Sequence, residues 1–124
     1  MEIAAVLQAA RQVAKGRVHA VVQPHRYSRL QDLFDGFCQC FNDADFVYVA
    51  DVYEAGETPI ENINGPALCD GIRAHGHRNV ENTSKDTIAA DLKPQLEPDD
   101  LVVFLGAGDI TYWAAGLADQ LAKA

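Results

Sequence analysis

The chain has 124 residues, 48% hydrophobic and 23% charged, which is the composition of one ordinary globular domain and excludes a disordered segment. Ten Lys and Arg against 18 Asp and Glu give a net charge of -8, which argues against a nucleic-acid or anionic-membrane surface, since those bind through basic patches. No apolar stretch is long enough to span a bilayer, no signal segment opens the chain, and Cys38, Cys40 and Cys69 have no ligand or disulfide-scaffold spacing, so a cytoplasmic domain is expected.

Ile3, Val6, Leu7, Ala10, Val13 and Ala14 make a helical stripe over residues 2–15 that stops before Gly16. Val18 to Gln23 is a valine-rich run that suits a strand. Residues 28–42 set Leu30, Leu33, Phe34, Phe37, Cys38 and Phe41 on one helical face. Ser28 can cap that helix, because its hydroxyl can accept from a first-turn N–H. Phe46 to Ala50 is unbroken and apolar, as in a strand covered on both faces. Residues 52–64 carry Gly56, Pro59 and several acids without a period and read as a loop.

Gly65-Pro66 opens a helix to about His75, since proline at the first helical position loses no needed hydrogen bond. His75-Gly76-His77 reads as a turn without further metal ligands. A short strand over 79–82 and a helix over 84–96, ended or kinked by Pro94, follow. Leu101 to Leu105 is the clearest buried strand, Gly106 to Asp109 a tight turn, and Ile110, Trp113, Ala114, Leu117, Ala118 and Leu121 mark a last amphipathic helix. Cys38 and Cys69 fall on apolar faces and read as core, whereas Cys40 sits at a polar edge. The alternation predicts an open α/β fold with a mainly parallel sheet.

In such sheets ligands bind beyond the carboxyl ends of the strands, and three polar segments follow such ends here. The first, Gln23 to Arg29, puts His25, Arg26 and Arg29 at a helix start, where guanidinium forks and free N–H groups suit a carboxylate or phosphate. The alternative is a solvated basic patch that pairs with Asp32 or Asp35. His25 can act as a proton donor or acceptor, or only as a structural hydrogen-bonding group. The second, Asp51 to Glu57, is an acidic loop able to hold an ammonium group or a metal-bound phosphate, or simply solvated. The third, Gly106-Ala107-Gly108-Asp109, is not a dinucleotide fingerprint, because Thr111 stands where a third glycine is needed. Its glycines still allow close approach of backbone to a ligand.

Three stretches carry a family resemblance: Gln23-Pro24-His25-Arg26-Tyr27-Ser28-Arg29 with Asp32-Leu33-Phe34, Asp51 to Ile60, and Gly106 to Ile110. In order and spacing they resemble the C-terminal domain of Mur ligases, in particular the branch that joins L-alanine to UDP-N-acetylmuramate. The resemblance covers residues 1–124 and implies a Rossmann-like three-layer sandwich, the third domain of a three-domain ligase of cell-wall peptidoglycan synthesis. It implies that ATP activates the lactyl carboxylate as an acyl phosphate, which the alanine amine then attacks. ATP and Mg2+ belong mainly to the other domains, so the domain alone is expected to be inactive, with no catalytic residue and no metal site of its own. Its implied partners are UDP-N-acetylmuramate, L-alanine, ATP and the rest of the enzyme, with no nucleic acid or membrane.

Carried onto this chain, the resemblance implies that Arg26 and Arg29 hold the alanine or product carboxylate, with His25 orienting them. Gly106, Ala107 and Gly108 then border a small amino-acid pocket, and Tyr53, Ala55 and Gly56 line the same edge. Asp51 and Glu57 are partners for the amine or the arginines. The alternative function is a stand-alone α/β module that binds a small anionic ligand without catalysis.

Overall fold

The structure, a computed structural model, describes residues 2–106, 109–113, 116–117 and 121. Four strands, β1 (Val18–Val22), β2 (Phe46–Val49), β3 (Val80–Asn82) and β4 (Leu101–Leu105), form one parallel sheet in the order β3-β2-β1-β4. Every residue of β1 is buried, as expected of a central strand, and this includes His19 among its valines. Among the described residues α1 (Glu2–Val13) precedes β1, α2 (Tyr27–Asp32) and α3 (Phe34–Gln39) join β1 to β2, α4 (Gly65–Ala74) joins β2 to β3, and α5 (Ile88–Leu92) joins β3 to β4. The sheet separates two apolar layers. One holds Leu7, Leu30, Phe37, Leu68 and Ile72 from α1 to α4; the other holds Ile88, Leu92, Ile110, Trp113 and Leu117. This is the predicted α/β sandwich.

Local departures have local causes. The helix expected over 28–42 is two short helices, because Leu33 leaves the helical region at φ -112° and ψ 17°. Ser28 does not cap the first of them; the helix begins at Tyr27, with Arg26 before it and no side-chain cap of its own. The helix expected over 84–96 shrinks to α5. Ser84 and Thr87 exchange amide-to-hydroxyl hydrogen bonds of 3.1 and 3.2 Å, which fixes 84–87 as a capping turn. Asn64 caps α4, accepting from the Ala67 amide at 2.8 Å, with Pro66 in the first turn as expected. The last apolar stripe starts in a 3-10 turn, Asp109–Tyr112; Ile110, Trp113 and Leu117 are buried, while Ala114 and Ala118 lie outside the described residues.

Cys40 is buried, not at a polar edge, and its thiol donates to the Phe37 carbonyl. Burial pushes Cys40 and Cys69 up to about 11, so both stay protonated, inert thiols near neutrality. Gly71 lets α4 approach α3, since a Cβ there would lie 2.4 Å from the Cys38 sulfur.

Candidate functional site

Parallel register brings the three polar segments to one edge. Val22 at the end of β1 stands opposite Val49 of β2 and Leu105 of β4. The chain continues the pairing past the strands. The Gln23 amide donates to the Leu105 carbonyl at 2.9 Å, and the Tyr53 amide donates to the Pro24 carbonyl at 2.8 Å. The Arg26 amide donates in turn to the Tyr53 carbonyl at 2.8 Å. The His25 ring stacks on Tyr53 with centroids 5.5 Å apart and planes 11° apart. The histidine is therefore fixed against the second segment, a placement that suits an orienting group.

Arg26 and Arg29 are both exposed, and neither pairs with Asp32, Asp35 or any other carboxylate among the described residues. Arg26 has φ 67°, a left-handed conformation that costs a non-glycine residue on the order of 1–3 kcal/mol. Of the free N–H groups expected at the start of α2, that of Ser28 is already taken. Glu57 reaches across from the second segment and accepts from the Ser28 amide at 3.1 Å and the Ser28 hydroxyl at 2.6 Å. Those two bonds, with the Tyr27 amide and the Arg26 charge, hold the Glu57 carboxyl below the usual carboxylate range. An anion at this edge would meet the two exposed guanidinium groups, with the Ser28 amide already engaged.

Ala55 and Gly56 both have positive φ, 53° and 86°, and make a sharp exposed turn. Asp51 is exposed, and its carboxylate accepts from the Val52 amide at 2.9 Å. Burial, with the Glu54 and Asp51 carboxylates nearby, pushes the Tyr27 phenol up. Three hollows surround this ground. One of about 460 Å³ runs between α1 and the basic segment, lined by Ile3, Val6, Phe37, His25, Arg29 and Gly106. A second, of about 540 Å³, is lined by His25, Arg26, Ser28, Arg29, Asp32 and Leu33. The third, of about 550 Å³, lies over Asp51 to Gly56 and reaches Thr83, Ser84 and Lys85. The His25–Arg29 segment thus stands between the first two.

Of the third segment, Gly106 is described and Ala107 and Gly108 lie outside the described residues. Gly106 has φ 154°, and a Cβ on it would lie 2.7 Å from Ile110 Cγ2 and 2.8 Å from the Gln23 carbonyl oxygen. Gly106→Ala is therefore expected to lower stability by roughly 1–3 kcal/mol, read as a fall in the denaturant midpoint. An unchanged midpoint would contradict this packing.

Two features escaped sequence reasoning. Gln23 is buried, and its side-chain oxygen accepts from the Ile110 amide at 3.2 Å, tying the first segment to the chain beyond the third. Its position one residue past an apolar strand was the available signal. The other lies at the opposite sheet edge. His19, fully buried, donates from Nε2 to Asp100 at 2.8 Å, and its Nδ1 lies 3.2 Å from the Tyr48 hydroxyl. Asp100 also accepts from the Arg17 amide at 2.8 Å and the Glu97 amide at 3.0 Å. Burial alone would raise Asp100, but these donors and the Arg17 guanidinium reverse that and hold it well below the usual carboxylate range. A lone histidine inside a valine strand was the only hint.

No group of three or more His, Cys, Asp or Glu among the described residues is placed to hold a metal ion. No helix among them is long and apolar enough to cross a membrane.

Comparisons with known proteins bear on the whole arrangement. A family model described as Mur ligase, glutamate ligase domain, matches residues 1–108. A protein of Parvibaculum lavamentivorans named UDP-N-acetylmuramate–L-alanine ligase is 60% identical over 124 residues, covering 99% of this chain and 25% of that protein. One of the same name from Maricaulis maris is 57% identical over 121 residues, covering 98% of this chain and 26% of that protein. The chain thus spans about a quarter of the length of the curated relatives it matches. A Haemophilus ducreyi domain, described as part of a UDP-N-acetylmuramate:L-alanyl-gamma-D-glutamyl-meso-diaminopimelate ligase, superposes with a TM-score of 0.65. It is 20% identical and covers 97% of this chain and 81% of that one, which shows a shared fold.

Proposed function

Since the chain belongs to the Mur ligase family, matching its glutamate ligase domain, we propose that it is the amino-acid-positioning C-terminal domain of a ligase that adds L-alanine to UDP-N-acetylmuramate. The supporting observation is the pair of exposed guanidinium groups, Arg26 and Arg29, neither of which forms a salt bridge among the described residues. They stand on the sheet edge where three polar segments meet. Planar forks at that spacing suit the carboxylate of an amino acid.

His25 and Tyr53, stacked on one another, form the wall beside these groups, and Gly106 lines the hollow shared with His25 and Arg29. Positioning is a large part of such a reaction, so a domain without a nucleophile can still contribute much of the rate. Closure over the remaining enzyme would exclude water from the activated carboxylate.

ATP and magnesium fall to other parts of the ligase on this reading. The chain has no glycine-rich phosphate loop, and its described residues gather no metal-binding cluster, so no step through either is assigned to them. The reading places the enzyme in the cytoplasm, in peptidoglycan synthesis. A stand-alone module for a small anion has no observation in its favour beyond the same two arginines.

The test is a chimera in which this chain replaces the matching quarter of a full-length relative. Ligation of L-alanine should survive the exchange and fall sharply in Arg26→Ala and Arg29→Ala. Full activity in both variants would overturn the reading.

A further inference from the structure

The two arginines are exposed and lack ion-pair partners among the described residues, so something else must aim them. The backbone that carries them is held from both sides. Before Tyr27, the Arg26 amide is tied to the Tyr53 carbonyl at 2.8 Å. After Arg26, the Ser28 amide and hydroxyl are tied to the two oxygens of Glu57, at 3.1 and 2.6 Å. Between these ties Arg26 keeps its left-handed φ of 67°. The helix that carries Arg29 has no side-chain cap from its own sequence, because the residue at its N-cap is Arg26. A strained conformation persists only where its surroundings over-determine it, and here Tyr53 and Glu57 do so.

We propose that Glu57 is a positioning residue of the amino-acid site, acting through Ser28 to fix the backbone that aims Arg26 and Arg29. The proposal rests on the reading that these arginines hold the amino-acid carboxylate. Glu57 itself touches no substrate. Each of its oxygens accepts a bond from Ser28, which ties the carboxylate to the backbone that carries the arginines. Its distance along the chain, 29 residues from Ser28, makes it the link by which the loop after β2 sets the geometry of the segment after β1.

The experiment uses the full-length chimera and steady-state kinetics for each substrate. Glu57→Gln keeps the length of the side chain but sets an amide N–H against a Ser28 donor. It should raise KM for L-alanine about tenfold and leave KM for ATP within about twofold. Because Glu57 acts through the arginines, adding Glu57→Gln to Arg29→Ala should cost much less than it does in the wild type. Ser28→Ala, a milder change, should move the alanine KM in the same direction and carries the test if Glu57→Gln does not fold.

An unchanged alanine KM in Glu57→Gln, alongside a raised one in Arg29→Ala, would overturn the role of Glu57 and leave the arginines standing. Fully multiplicative effects of the two changes, or equal shifts in KM for every substrate, would also overturn it. An unchanged alanine KM in Arg29→Ala and Arg26→Ala would instead overturn the underlying reading.

Discussion

Asp100→Ala is expected to remove about 3–5 kcal/mol of unfolding free energy, because it strips His19 Nε2 and two backbone amides of their shared buried acceptor. The Asp100 side chain is 2% exposed and that of its partner His19 is 0% exposed, so water cannot replace the lost bond without opening the core. The Arg17 and Glu97 amides lose their acceptor in the same change. A domain of this size has about 5–15 kcal/mol in total, so the variant would sit close to unfolding. Guanidinium unfolding at neutral pH measures it, with Asp100→Asn separating charge from shape. A loss under about 1 kcal/mol would contradict the assigned role.

The same group sets a pH dependence. Asp100 titrates lower in the folded chain than in the unfolded one. Its contribution is therefore complete above the ordinary carboxylate value of about 3.9 and drains away as pH falls below it toward the folded value. Asp45 is also lowered: burial alone would raise it, but the Val18 amide and Arg11 outweigh that and act in the same direction. Unfolding midpoints should thus decline steeply below about pH 4, and Asp100→Asn should flatten that decline. A midpoint in Asp100→Asn that tracks the wild type through the acid range would contradict this account.

Arg26→Ala and Arg29→Ala are expected to cost about 2–4 kcal/mol each in kcat/KM for L-alanine, or roughly 30- to 1,000-fold. On the proposed function each removes one arm of a charge-assisted carboxylate contact. Both side chains are exposed, so neither loss should lower the unfolding midpoint much. Arg26→Ala still leaves a positive φ at position 26, whereas Arg26→Gly removes the strain together with the guanidinium. A glycine variant more stable than wild type and equally impaired in ligation would separate conformational strain from binding. Saturating alanine should recover part of the rate if the arginines bind ground and transition states alike.

The strands were legible because the sheet is parallel, so β2 and β4 are continuous apolar runs and β1 is broken only by His19, although β4, expected as the clearest buried strand, lies at the sheet edge and is buried only at Leu105. The convergence of the polar segments followed from the same fact, since parallel strands end at one edge. Long-range side-chain partners were not legible. Nothing near Ser28 in sequence indicates that its acceptor is Glu57, and Ser28 taken alone looks like a cap. Nor does His19 announce Asp100, which lies 81 residues away. Element ends were blurred where a side chain competes for the backbone, as at Ser84 and Thr87. Leu33 continues the apolar stripe of its helix, so periodicity passed over the break there.

Strand order has a bearing on synthesis. The central strand β1 pairs with β2 soon after it but with β4 only near the far end of the chain. A nascent chain grown to Asn82 holds β1, β2 and β3, yet one flank of β1 is bare and His19 has no carboxylate. Gln23 at that stage lacks both Leu105 and Ile110. Pairings this far apart in sequence close late and slowly. Emergence of β4 therefore closes the second flank of β1 and gives His19 its carboxylate in one step, and β1 keeps a bare edge until then.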